Sequence, residues 1–375
     1  MPNPRGAWIE VDLSAVADNV RALKALTGPT TLFMAVVKAD GYGHGAVQVA
    51  REALHARADR LGIATIDEGA ELRAAGVEAP IQLLSEPPAM GAQAVVEHRL
   101  TPALYSRDFA IALSRAATLA QRSVRFHLKV DSGMNRIGVK AEEAADFVES
   151  LRGLPGLEME GAFTHFATAD VPGDWEFEHQ LERFEAALTE MRDRGMDPGI
   201  VHAANSPATI LHPETHFDMV RCGIAMYGLQ PSPECAAKVE LRAAMSVKAK
   251  VSRVHRLAMG EGVSYGFTWH APAPTMVATL PVGYADGYRR GLSDKARVLI
   301  GGVACRQVGR VCMDQLMAEI PRGLEVKVGD EAVLVGTQGS VRVTADEHAE
   351  LCDTINYEIA CGFGLRLERR YVQAR

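Results

Sequence analysis

The chain has 375 residues, of which 47% are apolar, 23% charged and 6% aromatic. A length of this size suggests two or three domains at about 150 residues each. The 40 Lys and Arg against 47 Asp and Glu give a net charge of −7, and no basic block could neutralise a row of phosphates. The charge balance therefore argues against nucleic acid as the main partner.

Membrane and secretory segments are not expected. No apolar run approaches the roughly 20 residues of a membrane span, and residues 1–10 lack the apolar stretch of a signal peptide. The six cysteines are scattered and include no Cys-x-x-Cys pair. We expect buried thiols rather than a disulfide framework or a structural zinc, in a cytoplasmic protein without a membrane or metal partner.

Up to about Leu229, short apolar β-prone runs alternate with Ala-rich amphipathic stretches. This alternation is typical of βα units and a parallel sheet, and eight units in about 230 residues is the size of a (β/α)8 barrel. The predicted strands are 32–37, 61–66, 81–84, 100–104, 124–130, 157–163, 200–203 and 217–220.

The mouth of such a barrel carries its chemistry, so the residues just past each run are candidates. They are Lys38, Asp67, Ser85, residues 129–136, Thr164, His165, Asn205, Ser206, Arg221, Cys222 and Gly223.

Beyond Gln230 the pattern changes to β-branched segments at short spacing, after a linker with two prolines. One short helix is predicted to begin after Thr344 as N-cap, because Glu347 follows three residues on. The sequence therefore predicts an α/β protein with an N-terminal (β/α)8 TIM-type barrel at 1–240, binding a cofactor, and a C-terminal mostly β domain at 241–375.

Residues 35–45 read Ala-Val-Val-Lys-Ala-Asp-Gly-Tyr-Gly-His-Gly. A buried strand that ends in Lys38 would place an amine at the barrel mouth, where desolvation lowers an amine pKa and frees the lone pair for a Schiff base. A solvated lysine after a strand is the commoner case. A dinucleotide loop is a further alternative, but the spacing lacks the third glycine of Gly-x-Gly-x-x-Gly.

Two neighbouring segments could bind an anion. Ser206 is a plausible N-cap with Pro207 at N1, which exposes backbone N–H groups to a ligand, although many helices start this way without one. Arg221 offers a permanently charged donor and Gly223 permits close backbone approach, although a surface ion pair would explain Arg221 equally well.

Three further residues are candidates, and two of them have a common non-catalytic explanation. Arg136 ends a Gly-punctuated loop and could bind a carboxylate through two hydrogen bonds. His165 follows a strand, where a histidine is usually just hydrogen-bonded. Tyr265 lies between Ser264 and Gly266, where a loop tyrosine is usually half-buried packing.

Taken together and in this order, these segments resemble the alanine racemases that use pyridoxal phosphate, from Trp8 to the segment 366–371. Residues 37–45 are similar to the cofactor-attachment signature of that family, and 262–266, Gly-Val-Ser-Tyr-Gly, to its second catalytic segment. Residues 312–315, Cys-Met-Asp-Gln, also fit. The family architecture is a barrel followed by a β domain, in agreement with the strand pattern.

The resemblance implies an isomerase that interconverts L-alanine and D-alanine with two bases, Lys38 and Tyr265, on opposite faces of the substrate Cα. Lys38 would also form the Schiff base with pyridoxal phosphate, and His165 and Arg221 would assist Tyr265. Arg221 would face the pyridine nitrogen and keep it unprotonated. The phosphate would be held by Tyr42, Ser206, Tyr357 and the backbone N–H groups of Gly223 and Ile224.

For the substrate, the resemblance implies that Arg136 and the Met313 N–H bind the carboxylate. It places Tyr265, Met313 and Asp314 at the mouth of a partner's barrel, which implies a head-to-tail homodimer with shared active sites. Lys129 matches a position that many members carry as an N-carboxylated lysine paired with Arg136. The chain departs from the family at Glu368, where proline is usual, and the expected consequence is confined to local loop shape.

Three rivals remain at this point. The same bases would serve a racemase of broader or different specificity, for instance for serine. A non-catalytic carrier of pyridoxal phosphate would need only the barrel, and the β domain with Tyr265 argues against it. A nucleotide-dependent dehydrogenase is the most remote alternative.

Overall fold

The computed structural model describes residues 5–171 and 173–373. These residues divide into two compact units, one made of 16–41 and 45–242, the other of 5–15, 42–44 and 243–373. The first is called the barrel unit below and the second the β unit. The predicted domain limits differ from this division in residues 5–15, 42–44 and 241–242; residues 5–15 contain strand β1 (Ala7–Asp12).

The barrel unit contains one parallel strand for each of the eight predicted runs. They are β2 (Leu32–Val36), β3 (Arg60–Ile63), β4 (Ile81–Leu83), β5 (Thr101–Leu104), β6 (Val124–Asp131), β8 (Leu157–Phe163), β9 (Ile200–His202) and β10 (Met219–Cys222), with the short β7 (Val139–Lys140) beside β6.

These eight strands pair in the order β10-β2-β3-β4-β5-β6-β8-β9. Every pair is parallel. Backbone hydrogen bonds join the two ends of the order, because Asp218 N–H donates to Val201 O and Arg221 N–H to Ala204 O, both at 3.0 Å. The predicted α/β class with a nearly closed eight-stranded barrel is confirmed.

Helices follow most of the strands and bury their apolar stripes, as α6 does with Phe109, Leu113 and Ala117. Strands β3, β4, β5 and β10 are buried along their whole length, as expected for a barrel covered by helices and filled by side chains. The helices are α1 (Leu13–Lys24), α2 (Lys38–Tyr42), α3 (Ala46–His55), α4 (Ile66–Ala74), α5 (Ala92–Glu97), α6 (Arg107–Leu119), α7 (Ala144–Ser150), α8 (Trp175–Asp193), α9 (Ser206–Leu211) and α10 (Pro233–Ala236), with 3-10 turns at Ala89–Gly91, Ala141–Glu143, Pro213–Thr215 and Ile224–Tyr227.

The second predicted strand, 61–66, extends three residues beyond the observed end of β3. β3 stops at Ile63, and Thr65 begins α4 as its N-cap. The Thr65 hydroxyl accepts from Glu68 N–H at 3.3 Å while the Glu68 carboxylate accepts from Thr65 N–H at 3.2 Å, which is a capping box. Asp67 therefore lies in the first turn of α4 rather than at a strand end, and its candidacy as a strand-end residue was wrong.

The β unit holds a seven-stranded sheet in the order β17-β16-β19-β11-β1-β21, with β20 on β19. Three-stranded β12-β15-β18 and two-stranded β13-β14 complete it. Its strands after β1 are β11 (Met245–Lys250), β12 (Arg253–Leu257), β13 (Gly262–Val263), β14 (Trp269–His270), β15 (Thr275–Leu280), β16 (Arg297–Ile300), β17 (Val303–Arg306), β18 (Leu316–Ile320), β19 (Glu331–Gln338), β20 (Val341–Val343) and β21 (Glu368–Val372), with 3-10 turns at Tyr265–Phe267, Tyr284–Asp286 and Arg290–Leu292.

The predicted helix start at Thr344 is confirmed, since its hydroxyl accepts from Glu347 N–H at 3.0 Å to begin α11 (Ala345–Leu351). A second helix, α12 (Asn356–Gly362), was not predicted and carries Tyr357. Glu368 opens β21 and pairs with Trp8 of β1, so the departure from the family falls in a strand rather than a loop.

Two other expectations concern the whole chain. No helix in the described ranges combines the length and apolar character needed to cross a membrane. Cys222, Cys235 and Cys305 are buried, whereas Cys312 and Cys352 are half-buried and Cys361 is exposed. The expectation of buried thiols is therefore wrong for Cys361.

Candidate active site

Lys38 lies two residues past the end of β2 and opens a left-handed turn. Ala39, Asp40, Gly41 and Tyr42 all have φ between 52° and 61°, a conformation that costs roughly 1–2 kcal/mol for each residue other than glycine. Hydrogen bonds hold it in place, with Gly41 N–H donating to Val37 O at 2.9 Å and Ala39 N–H to the Glu68 carboxylate at 2.6 Å. Such strain is typical of functional sites, and here it fixes the backbone that carries the Lys38 amine.

The helix start near Ser206 lies one residue earlier than predicted. Asn205 is the N-cap of α9, and its side chain accepts from Ala208 N–H at 3.1 Å. Ser206 is consequently the first helical residue, and its hydroxyl accepts from Gly223 N–H at 3.0 Å. The N-cap assignment of Ser206 was wrong, but the structure does bring Ser206 and Gly223 together.

Ile224 lies beside this contact and is 1% exposed. Within the described residues its backbone N–H has no hydrogen-bond acceptor. A buried N–H without a partner is rare. The cluster formed by Ser206, Gly223 and Ile224 therefore has the donors expected of an anion site.

Arg221 is the central charge of the barrel unit. It is 4% exposed in β10, and Nη2 donates to the carbonyls of Thr164 at 2.9 Å and Ala203 at 3.0 Å and to His165 Nδ1 at 3.1 Å. Among the residues that the structure describes, no carboxylate pairs with it. Arg221 is therefore a buried cation held by neutral acceptors, and the surface ion pair considered for it is excluded.

This environment changes the pKa of three groups. Burial lowers the pKa of Arg221 to about 9, which leaves it protonated at neutral pH. Burial, reinforced by the Arg221 charge, lowers the pKa of His165 well below its ordinary value. The same two causes lower the pKa of Lys129 to about 7. A neutral imidazole and a partly neutral amine thus lie near a fixed guanidinium.

Arg136 follows a rigid loop after β6. The Asp131 carboxylate accepts from Asn135 N–H at 2.9 Å and from Lys140 Nζ at 3.0 Å. Gly138 has φ +123°, and an added Cβ would lie 2.7 Å from Asp131 N. Arg136 is exposed and makes no hydrogen bond or ion pair with the described residues, so its guanidinium is available to a ligand.

Tyr265, Met313 and Asp314 lie together in the β unit. They line an open pocket of about 500 Å³ with Phe267. Tyr265 is 72% exposed, Phe267 61% and Met313 53%. The Ser264 hydroxyl donates to Arg310 O at 2.7 Å, and Arg366 Nη2 donates to the Asp314 carboxylate at 2.6 Å. These hydrogen bonds hold the loop in place, yet the Tyr265 and Phe267 side chains are exposed. Tyr265 therefore differs from an ordinary loop tyrosine, which is usually half-buried.

Tyr42 and Tyr357 form the other pair in the β unit. Their ring centroids are 6.4 Å apart. Arg369 Nε donates to Gly43 O at 2.9 Å, and an added Cβ on Gly43, at φ +81°, would lie 2.6 Å from Ala360 O. Only glycine fits there, which explains why 42–44 packs so closely on α12.

The structure thus groups the predicted site residues as two sets. Lys38, Lys129, Arg136, His165, Ser206, Arg221, Gly223 and Ile224 belong to the barrel unit, and Tyr42, Tyr265, Met313, Asp314 and Tyr357 to the β unit.

Sequence reasoning missed the buried polar side chains behind Arg221. His202 accepts from Arg221 Nη1 at 3.1 Å and His127 contacts His202 at 2.8 Å. Both lie on predicted strands, and a polar residue inside an otherwise apolar run was the available signal.

The chain matches two sequence models, described as the alanine racemase N-terminal domain over residues 11–231 and the alanine racemase C-terminal domain over 244–371. A curated alanine racemase of Symbiobacterium thermophilum is 50% identical over 98% of this chain and 97% of its own length.

Solved structures agree. The alanine racemase of Bacillus anthracis with bound L-Ala-P matches with a TM-score of 0.94 at 38% identity, over 100% of this chain and 96% of that one. A histidine racemase of Leuconostoc mesenteroides matches at 0.91 and 31%, over 100% and 99%. With both of its parts matched and identity this high over nearly its full length, the chain belongs to the alanine racemase family.

Proposed function

We propose that this protein interconverts L-alanine and D-alanine with pyridoxal phosphate as cofactor, in the cytoplasm. The observation that carries the proposal is the barrel mouth. Lys38 lies just past the end of β2, and the buried Arg221 guanidinium lies near the end of β10 without a carboxylate partner among the described residues.

The barrel residues fit the cofactor in their chemistry. The Ser206 hydroxyl and the backbone N–H groups of Gly223 and Ile224 are donors suited to a phosphate. We also assign to the phosphate the hydroxyls of Tyr42 and Tyr357, which belong to the β unit. The Lys38 amine is the group that attaches the cofactor. When bound, pyridoxal phosphate withdraws electrons from the substrate and makes its Cα–H acidic.

Arg221 acts on the pyridine nitrogen as a donor that keeps its own proton. Its pKa of about 9 leaves the guanidinium charged at neutral pH, and a guanidinium has no acceptor site. Arg221 could therefore only donate a hydrogen bond to the pyridine nitrogen and would leave that nitrogen unprotonated. In this role Arg221 would weaken the electron withdrawal that the cofactor supplies and would limit side reactions such as transamination.

Racemisation requires a proton to leave one face of Cα and to return on the other. We assign these roles to Lys38 and Tyr265, with His165 and Arg221 assisting the tyrosine. The 72% exposure of Tyr265 supports a site completed by a second copy of the chain, in a homodimer whose two copies share their active sites. Residues 1–240 would bind the cofactor and 241–375 would supply the tyrosine.

The substrate carboxylate would bind to Arg136 and the Met313 N–H, beside Asp314. Lys129 would support Arg136 as a carbamate. Its amine, with a pKa of about 7, is partly neutral at physiological pH and can attack CO2 with release of one proton. The product is an anion, which suits a site between two guanidinium groups better than an ammonium does.

The comparisons with known proteins count against the three alternative functions. The relatives and structures named alanine racemase favour alanine over serine. Membership in a family of racemases argues against a carrier and against a dehydrogenase.

The test is a racemase assay of the purified protein, loaded with pyridoxal phosphate, on L-alanine, D-alanine and L-serine. We expect rapid interconversion of the two alanine enantiomers and little action on serine. A preference for serine, or no racemisation of alanine, would overturn the proposal.

A further inference from the structure

We propose that His127 and His202 act as positioning residues, forming a relay of fixed tautomers that joins Arg221 to Glu160 through the barrel interior. The relay orients the Arg221 guanidinium and stabilises its buried charge. Its link to catalysis rests on the proposed function, in which Arg221 faces the cofactor ring.

Three consecutive hydrogen bonds make the relay. Arg221 Nη1 donates to His202 Nδ1 at 3.1 Å. His202 Nε2 and His127 Nδ1 are 2.8 Å apart, and His127 Nε2 lies 3.0 Å from the Glu160 carboxylate. Both imidazoles are 0% exposed, so water does not compete for these bonds.

The two ends dictate where every proton lies. A guanidinium only donates, so His202 Nδ1 must accept and its hydrogen must sit on Nε2. That hydrogen is donated to His127 Nδ1, which leaves the His127 hydrogen on Nε2. An ionised carboxylate only accepts, so Glu160 receives it. Two neutral imidazoles that each carry their hydrogen on Nε2 satisfy all three hydrogen bonds of the relay. With the hydrogens on Nδ1 instead, His202 would turn a donor toward the Arg221 guanidinium and His127 would turn an acceptor toward the Glu160 carboxylate, so both end bonds would be lost.

The remaining neighbours favour neutral rings. The His202 ring stacks on Phe163 at 4.8 Å, and Lys129 and Arg221 lie 5.3 and 5.4 Å from the centre of the same Phe163 ring. Burial lowers the pKa of His127, and burial, with the Arg221 charge among its neighbours, lowers the pKa of His202. Among the described residues, the side chains other than Glu160 that bring a permanent charge to the two rings are the cations Arg60, Arg221 and Lys129.

Glu160 is anchored across the barrel. Arg60 Nη1 and Nη2 donate to its two oxygens at 2.7 and 2.9 Å, although β3 and β8 are not neighbours in the sheet. Arg125 adds a third donor at 3.2 Å. Burial raises the pKa of Glu160, but the bonds from Arg60 and His127 outweigh it and lower the net value, so the carboxylate stays ionised.

The backbone of β8 is shaped around this row. Phe126 pairs with Met159 and His127 with Gly161, which leaves Glu160 as the extra residue of a bulge that redirects its side chain. An added Cβ on Gly161 would lie 2.5 Å from His127 Nδ1 and 2.4 Å from Ile200 O. Only glycine leaves room for the His127 ring, so bulge and glycine together build the relay.

The relay carries the Glu160 charge to Arg221 as polarisation. Each bond strengthens the acceptor of the next, because hydrogen bonds in a low-dielectric interior polarise one another. Arg221 has no carboxylate of its own among the described residues, and Glu160 is the anion that the relay connects to it. Arg60 occupies the start of β3 and His202 the end of β9; the row runs lengthwise through the barrel.

The direct test reads proton positions by NMR. Holoenzyme labelled with 15N-histidine is recorded between pH 6.5 and 8.5, and single variants H127Q and H202Q assign the two rings. We expect both rings to show the neutral Nε2–H pattern without titration. An Nδ1–H tautomer or a titrating ring would overturn the relay, whichever substrate the enzyme racemises.

The kinetic test compares Glu160→Gln with Glu158→Gln. Glu158 lies on the same strand and also pairs with Arg125, but is 54% exposed and outside the row. For E160Q we expect kcat to fall about tenfold or more, the size of one lost charge-assisted bond, with little change in KM. For E158Q we expect neither to change. Equal kcat values for the two variants would overturn the positioning role, and if E160Q does not fold, the NMR result on the unaltered chain decides.

Discussion

The barrel mouth and the Tyr265 loop belong to the same predicted site but differ in how the chain prepares them. Arg221 is buried, Lys38 opens a left-handed turn, and hydrogen bonds fix the surroundings of both residues. Tyr265 and Met313 are 72% and 53% exposed. The barrel half is preorganised by its own unit, whereas the loop leaves exposed the phenol that we propose as a base enclosed by a second copy of the chain. The predictions below test each half.

The largest effect is expected at Lys38. In our proposal the Lys38 amine attaches the cofactor and is one of the two bases. Lys38→Ala removes this amine, so racemisation should fall below detection in both directions, together with covalent attachment of pyridoxal phosphate. Borohydride trapping and a racemase assay measure the two losses. Lys238→Ala, at an exposed lysine, should keep both; retained attachment in K38A would remove Lys38 from its role.

Tyr265→Phe keeps the ring and deletes the hydroxyl. Loss of a general base costs about two to four powers of ten, so racemisation should fall by that amount in both directions. We assign Lys38 to D-alanine, so exchange of the D-alanine Cα hydrogen with solvent deuterium should persist, whereas L-alanine exchange should be lost. Tyr371→Phe is the control. Equal loss of exchange from both enantiomers would favour a single base.

Arg221→Glu should slow racemisation and increase transamination, because a carboxylate would favour a protonated pyridine nitrogen. Pyruvate formed per racemisation event measures the change. If racemisation falls without more pyruvate, Arg221 is structural and its proposed effect on the ring is wrong.

The smallest effect concerns Lys129 and depends on its chemical state. A bare lysine has a folded pKa of about 7 against an unfolded value near 10.4. Folding then releases a proton between these values, so the lysine destabilises most below pH 7 and the penalty disappears as pH rises toward 10. In a bare state, Lys129→Met raises the melting temperature at pH 6 more than at pH 10.

The carbamate that we propose reverses this outcome. Lys129→Met then removes the anion near Arg136 and lowers the melting temperature, and depletion of CO2 from the unaltered protein lowers its activity. The double variant R136A/K129M tests whether the two residues act together. If the carbamate pairs with Arg136, the loss in melting temperature of the double variant differs from the sum of the two single losses, because coupled residues give non-additive effects. The carbamate proposal would be wrong if K129M raised the melting temperature more at pH 6 than at pH 10 and if the activity of the unaltered protein did not depend on bicarbonate.

The eight barrel strands could be predicted because each is a local apolar run with turn residues around it. Lys38 and Arg221 could be found because strand ends define the barrel mouth. The Ser206 N-cap was misplaced by one residue because Asn205 and Ser206 are equally good caps, and only the Ser206 contact with Gly223 separates them.

Long-range pairing was outside the reach of sequence patterns. β1 pairs with β11 and β21, more than 200 residues away, so its place in the β unit depends on chain closure. His127 and His202 are 75 residues apart. They lie on β6 and β9, on either side of β8, which bulges at Glu160. The signals were present as isolated polar residues, without any local clue that they meet.

The most direct test of a site shared between two copies is complementation of two inactive variants. K38A and Y265A chains are co-expressed in equal amounts, and the purified mixture is assayed for alanine racemisation. A mixed dimer has one site in which an intact Lys38 meets the other copy's intact Tyr265, so about a quarter of the unaltered activity should return, as half of the dimers are mixed. A mixture that contains mixed dimers but stays as inactive as its parents would contradict the account, because each site would then take both bases from one chain.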